Sequence, residues 1–388
     1  MSAPTALKSE SVPPTEPWLL TPGPLTTSTT VKQAMLHDYG SRDTHFIAVN
    51  RALRASLVEI IHGAEDYTCV PLQGSGTFVV EAMLGTFVPR DGKLLILING
   101  AYGQRMAKIC DYLGRAYATL ETPEDIPADC VALERQLAAD SSISHVAVVH
   151  CETTSGILNP LADVAQIVKR HQRRLLIDSM SAFGALAVDT REIDFDAVVA
   201  SSNKCLEGVP GMGFCLARKT ALQATAGNAH SLTLDLYAQW QGMEQNNQWR
   251  FTPPTHCILA FAQALREFDA EGGVVGRGQR YRENCQILVQ GMREIGFQTL
   301  LPDELQAPII VTFHRPADPK FDFQRFYDSL RQKNYVIYPG KLTVADSFRI
   351  GCIGRLNAEH MHGVLAAIKA TLSELGVSSC APSLAEPS

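Results

Sequence analysis

The sequence predicts an α/β protein, a large domain on a mainly parallel sheet followed by a smaller C-terminal α+β domain. From about Asp66 to Ala217, short runs rich in Val, Ile and Leu (DYTCVPL, KLLILI, HVAVVH, RRLLIDS, FDAVVAS) alternate with amphipathic stretches such as GTFVVEAMLGTF and YGQRMAKICDYLG. Strands that are apolar throughout are buried on both faces, and a strand–helix–strand rhythm implies βαβ crossovers, so both features point to a parallel sheet. From about Ser231 to Phe297 the helix period dominates, through HCILAFAQALREFDAEGG and a long segment running from Asn284 to Ile295. Beyond it, PIIVTF, a helix around Phe321–Gln332, NYVIYPG, SFRIGCIG and a helix near Glu359–Leu372 mix the two periods, the pattern of a separate α+β unit. The expected boundaries are a disordered tail at 1–17, the large domain at 18–280, the small domain at 281–375 and a second disordered tail at 376–388.

Bulk properties narrow the function. A chain of 388 residues exceeds one ordinary domain. Its charged fraction of 19% lies below the roughly 25% usual for soluble proteins, which suggests surface buried against another subunit. With a net charge of −6 and no long Lys/Arg run, nucleic-acid binding is not expected. No apolar stretch is long enough to span a membrane, and MSAPTALKSESVPPTEP has no charged segment leading into an apolar one, so neither a membrane anchor nor a secretory signal is expected. Ten cysteines stand singly, with no CxxC pair, and most (Cys110 and Cys215, for example) lie in apolar runs. That usage suits a reducing compartment, with the cytoplasm as the default. His360 and His362 have no matching ligand set, so no metal is expected.

Three features carry chemistry. LQGSGTFVVEAMLG places Gly74, Ser75, Gly76 and Thr77 between a strand and a helix. Free N–H groups at a helix start, with two hydroxyls, suit a phosphate group; a tight βα turn with an ordinary cap would look the same. Asp178 closes the apolar strand of RLLIDSMSAFGAL, at the sheet edge where open α/β folds place ligands. It either pairs with a cationic ring nitrogen or caps a helix. Lys204, in FDAVVASSNKCLEGVPGMGF, follows an apolar strand and precedes a glycine turn. Partial burial would lower its pKa and make its amine a nucleophile; the alternative is a loop lysine. Phosphate turn, strand-end acid and strand-end lysine, in that chain order, are the three anchors of a pyridoxal-phosphate (PLP) site.

With these residues in hand, the sequence resembles the fold-type I PLP aminotransferases of the group that includes alanine:glyoxylate transaminase, and within it the transaminases of 2-aminoethylphosphonate and pyruvate. The resemblance rests on LLTPGPLTTS (19–28), PLQGSGTF (71–78), NGAYGQR (99–105), CETTSGILNPL (151–161), IDSMSAFGAL (177–186), SSNKCLEGVPGMGF (201–214), WRFTPPTH (249–256), APIIVTFH (307–314), YPGKL (338–342) and FRIGCIG (348–354), and covers about residues 19–370. It implies pyridoxal 5'-phosphate as cofactor, 2-aminoethylphosphonate and pyruvate as substrates, and a homodimer with its active sites at the interface. Ser75, Gly76 and Thr77 would hold the cofactor phosphate, Tyr102 would stack on the pyridine ring and Thr153 would lie near its phenolic oxygen. Asp178 would pair with the ring nitrogen and Lys204 would attach to the aldehyde carbon and later act as the base. Thr252 would reach the phosphate in the neighbouring subunit, and Arg349 would bind the substrate's anionic group.

One departure bears on the substrate. Relatives commonly carry Trp-Asp-Asp-Asp where this chain has Arg42-Asp43-Thr44-His45. Arg42 is therefore a candidate second cation for a dianionic phosphonate, a surface change of no consequence, or a mark of a different amine donor. The rival readings are an alanine:glyoxylate or serine:pyruvate type of transaminase, a lyase or desulfurase on the same scaffold, and a non-enzymatic binding protein. A desulfurase needs a mobile cysteine, and Cys205 beside Lys204 sits where a mobile loop is not expected.

Overall fold

Seven strands form the central sheet, in the spatial order Tyr67–Gln73, Met212–Arg218, Ala197–Ser201, Arg174–Asp178, Ile143–Val149, Lys93–Ile98, Ala116–Glu121. The architecture is that of a computed structural model, which describes residues 16–340 and 345–383. Residues 1–15 and 384–388 of the expected tails, and Lys341 and Leu342 of the YPGKL motif, lie outside the described residues. Four neighbouring pairs are parallel, and only Met212–Arg218 runs antiparallel to both strands beside it.

Alternation along each strand divides the core in two. Leu95, Leu97, Val146, Val148, Leu175, Ile177 and Val198 point to one face, and Leu94, Ile96, Ala147, Val149, Leu176 and Val199 to the other. Helices Thr44–Ile60, Cys130–Ala139, Leu161–Arg170 and Thr255–Ala270 cover the first face. Helices Gly76–Phe87 and Ala101–Leu113 cover the second. With both faces covered, the middle strands must be apolar throughout, as the sequence showed. Two strands escaped that signal. AYATLE (116–121) lies at the sheet edge and is half exposed, while MGFCLAR (212–218) follows directly on the glycine turn after Lys204.

The C-terminal part holds a three-stranded antiparallel sheet, in the order Ile310–His314, Ser347–Gly351, Tyr338–Pro339. Helices Phe323–Gln332 and Ala358–Leu375 pack with it around Phe313, Phe326 and Phe348. Helix Gly273–Ile295 runs unbroken past residue 280. Its Val274 packs on the large sheet's core, and its Cys285, Leu288 and Met292 on the C-terminal core. Residues 377–381, within the expected C-terminal tail, lie against Asp318, whose Oδ2 accepts from Ser378 N at 2.8 Å and Ser378 Oγ at 2.9 Å, and Cys380 is buried beside Phe297's cluster. Among the described residues no helix is long and apolar enough to cross a membrane.

Candidate active site

Asp178 ends its strand at the carboxyl edge of the sheet and is buried. Its Oδ1 accepts from Met180 N at 2.9 Å, and its backbone oxygen accepts from His150 N at 2.8 Å. Burial is the main cause that pushes its carboxyl up to about 6, aided by the Glu152 carboxylate and opposed by the Met180 N–H, Lys204 and Arg105. Above that pH it is an anion with few competing partners, fit to hold a cationic ring nitrogen.

Lys204 follows strand Ala197–Ser201. The residue as a whole is only partly buried, but its Nζ is enclosed and donates to Pro22 O at 2.6 Å. Burial draws the amine down from 10.5 to about 8; Cys205 and Asp178 raise it, and Arg349 lowers it. The loop is anchored from beneath by helix Gly273–Ile295. Arg277 Nη1 donates to Cys205 O at 2.5 Å, and Tyr281 Oη donates to Glu207 Oε1 at 2.6 Å. Cys205 is buried, its thiol donating to Ser181 O at 3.0 Å and pushed well up by burial, so it is not the mobile thiolate that desulfuration needs.

The glycine turn joins strand Tyr67–Gln73 to helix Gly76–Phe87. Gly74 takes φ +118°, a conformation that favours glycine, and its N–H donates to Gly211 O at 2.9 Å. Ser75 is the N-cap but its hydroxyl makes no capping bond, and Thr77 Oγ1 accepts from Arg105 Nη1 at 3.0 Å. A Cβ on Gly76 would stand 2.5 Å from Met180 Sδ, so the Met180 side chain lies close against the turn and would have to shift to admit any other residue.

Tyr102 is the second residue of helix Ala101–Leu113, whose N-cap, Gly100, has no side chain to cap it. A distant segment does so: Ala101 N donates to Thr154 Oγ1 at 3.0 Å and Tyr102 N to Glu152 Oε2 at 3.1 Å. Glu152 Oε1 also accepts from Thr154 N at 3.0 Å and Thr154 Oγ1 at 2.6 Å. Gly100 permits that approach, because a Cβ there would lie 2.5 Å from Glu152 Cδ. The Arg105 guanidinium stands over the Tyr102 ring, 4.9 Å from its centre.

Arg349, on strand Ser347–Gly351, is 2% exposed. Its Nε and Nη2 donate to Pro339 O at 3.1 and 3.0 Å, and Nη1 to Thr153 O at 2.7 Å. A guanidinium has five N–H groups, so one on each terminal nitrogen has no partner among the described residues and is left to donate to an anion.

One chain thus brings together Ser75, Gly76, Thr77, Tyr102, Thr153, Asp178, Lys204 and Arg349. It does not bring Arg42 or Thr252 to them: both are exposed, and no described hydrogen bond joins either to this group. Arg42 precedes helix Thr44–Ile60, whose N-cap is Asp43, accepting from His45 N at 2.8 Å. Sequence reasoning missed Pro22 and Gly23, Glu152, His150 and Arg105. All five lie in runs or motifs that the sequence displays, but only the fold shows which atoms meet. The cluster fits PLP in kind: a helix start with unspent donors for a phosphate, a buried acid for a ring nitrogen, and a buried amine with a lowered pKa for an aldehyde.

Residues 27–337 match the sequence model of the family described as aminotransferase class-V. The 2-aminoethylphosphonate–pyruvate transaminase of Pseudomonas fluorescens (strain Pf-5) is 56% identical over 93% of this chain and 98% of its own. Among solved structures, ureidoglycine-glyoxylate aminotransferase from Bacillus subtilis superposes with a TM-score of 0.88 at 22% identity, over 96% of both chains. Pyridoxamine-pyruvate aminotransferase from Mesorhizobium loti gives 0.86 at 21% identity, over 95% of both. At that identity the two structures speak for the fold alone, which is that of the fold-type I transferases.

Proposed function

Since this chain belongs to the class-V aminotransferase family and is a PLP-dependent transaminase, we propose that it moves the amino group of 2-aminoethylphosphonate to pyruvate, giving phosphonoacetaldehyde and L-alanine. The observation that carries the substrate reading is the identity with the Pseudomonas relative over nearly the whole of both chains.

When bound, PLP supplies an electrophilic aldehyde carbon and a protonated ring that withdraws electrons from the substrate carbon. Ser75, Gly76 and Thr77 would hold its phosphate, Tyr102 would cover its ring and Thr153 would lie near its phenolic oxygen. Asp178, anionic above about pH 6, keeps the proton on the ring nitrogen. Lys204 would hold the aldehyde carbon through its Nζ and, when free, would serve as the base that moves a proton; its amine near pKa 8 suits both tasks at neutral to mildly alkaline pH. Arg349 offers its free N–H pair to the phosphonate in one half-reaction and to the pyruvate carboxylate in the other.

Arg42 and Thr252 belong to this reading through a second subunit. In a cytoplasmic homodimer Thr252 would reach the partner's cofactor phosphate, and Arg42 would add a cation that favours the dianionic donor. Their exposure in the single chain supports that arrangement.

The test is a coupled assay of PLP-loaded protein with 2-aminoethylphosphonate and pyruvate, following alanine. Turnover that disappears in Lys204→Ala is expected. Alanine formed only from other amine donors, or transfer from L-alanine to glyoxylate, would move the specificity to the alanine:glyoxylate or serine:pyruvate type.

A further inference from the structure

The segment LQGSGTFVV contains no lysine or arginine, yet it is the proposed seat of a phosphate dianion. Backbone N–H groups and a helix dipole attract an anion, but a formal positive charge makes the hydrogen bonds to it roughly twice as strong. Two cations of this pocket are committed elsewhere, Lys204 to the aldehyde carbon and Arg349 to the substrate acid. Arg105 remains. Its Nη1 lies 3.0 Å from Thr77 Oγ1, and its guanidinium stands over the Tyr102 ring rather than reaching out to solvent. It also counts among the charges acting on Asp178, which places it within the same electrostatic field as the ring site.

The direction of the Arg105–Thr77 bond has a consequence. A guanidinium has donors and no acceptor, so Thr77 Oγ1 can only accept from Arg105. Its own O–H hydrogen is therefore left to donate elsewhere, and Arg105 is the only described partner of that hydroxyl. Arg105 thus fixes the Thr77 hydroxyl in the one role useful to a phosphate.

We infer that Arg105 is a positioning residue for the cofactor phosphate, orienting the Thr77 hydroxyl toward it and balancing its charge. The inference rests on PLP occupying the turn as proposed above. It goes beyond that reading by giving a task to a side chain that the sequence left without one.

The test compares PLP with pyridoxal, which lacks the phosphate, on purified apoenzyme. Equilibrium dissociation constants come from the absorbance of the bound cofactor, for the wild type, R105Q, R105K, T77V and the double variant R105Q/T77V. Loss of a charge-assisted contact predicts that R105Q weakens PLP by about ten- to a hundredfold and leaves pyridoxal within about twofold. R105K should recover part of the loss, and R105Q should do less harm in the T77V background than in the wild type. A further readout is the phosphorus-31 titration of bound PLP, in which the second phosphate ionisation should move up in R105Q, since a nearby cation favours the dianion. Equal weakening of PLP and pyridoxal would assign Arg105 to structure alone and overturn the inference. Unchanged PLP affinity with a raised KM for 2-aminoethylphosphonate would overturn it too, making Arg105 a substrate cation. A wild type that binds PLP tightly but forms no alanine from this donor would sink the substrate reading and leave the inference about Arg105 standing.

Discussion

The amine of Lys204 donates to the carbonyl oxygen of Pro22 at 2.6 Å, so a loop from the start of the chain roofs the lysine at the end of a central strand. The next residue, Gly23, has φ +113°, and a Cβ there would stand 2.6 Å from Lys204 Cδ and 2.8 Å from Asn203 O. The roof can sit this low only because Gly23 has no side chain. Gly23→Ala should therefore displace the Lys204 side chain, cutting kcat/KM by about tenfold or more, roughly 1.4 kcal/mol of transition-state stabilisation. Gly40→Ala, where an added Cβ meets only Asp43 Cβ at 3.8 Å, is the control and should keep its activity. Equal rates in the two variants would show that the roof does not position the lysine.

The lowered pKa of Lys204 sets how the apoenzyme takes up cofactor. Only the neutral amine attacks an aldehyde, and burial brings its pKa from 10.5 to about 8. The rate of PLP uptake, followed by absorbance, should climb about tenfold per pH unit at low pH and level off above about pH 8. A rate still climbing steeply at about pH 10 would mean that the amine keeps its solution character.

Two buried histidines give the fold a weakness toward acid. His145 and His150 are both drawn from 6.5 to about 4, chiefly by burial, and so stay neutral in the folded protein. The unfolded chain takes up these protons first, so the stability they contribute is complete above pH 6.5 and is lost as pH falls toward 4. Asp178 acts in the opposite sense. Its pKa is raised from 3.8 to about 6, so its burial penalty is relieved as pH falls through that range. Two histidines outweigh one acid, and a net loss of a few kcal/mol is expected. Urea unfolding of the apoprotein at several pH values would measure it. His150→Gln should flatten the slope between those limits, and an unchanged slope would refute the assignment.

These particulars show why some of the site could be read from the sequence and some could not. Asp178 and Lys204 were legible because one closes an apolar run and the other follows one within three residues, and a charged residue at or just past a strand end is delivered to the edge of the sheet. Arg349 and Tyr102 were legible only through family resemblance, since nothing local marks an arginine inside SFRIG as anything but a strand residue. Glu152 carries a local signal of its own, an acid in an otherwise neutral buried run. Its task, capping the helix of Tyr102, depends on two segments meeting some 50 residues apart. Pro22 contributes a backbone oxygen, which no side-chain pattern can reveal. The edge strand AYATLE was missed because half of it faces solvent, so the apolar-run criterion that found KLLILI fails there.

Arg349 and Arg42 should separate the two half-reactions. Three backbone-directed bonds hold the Arg349 guanidinium in plane, with one N–H on each terminal nitrogen still to offer. Lysine cannot keep those three bonds and still donate to a substrate, because its ammonium is a point charge on a flexible stem. Arg349→Lys should therefore raise the KM for both 2-aminoethylphosphonate and pyruvate, by about ten- to a hundredfold, since either anion would meet the same residue. Arg42 lies at an exposed helix start and acts only if a partner subunit brings it to the pocket. There, a second cation matters more to a dianion than to a monoanion. Arg42→Ala should raise the KM for the phosphonate by about three- to tenfold and leave that for pyruvate nearly unchanged. Equal losses for both substrates would remove Arg42 from the site, while a selective loss for pyruvate in Arg349→Lys would mean that the phosphonate is held by some other cation.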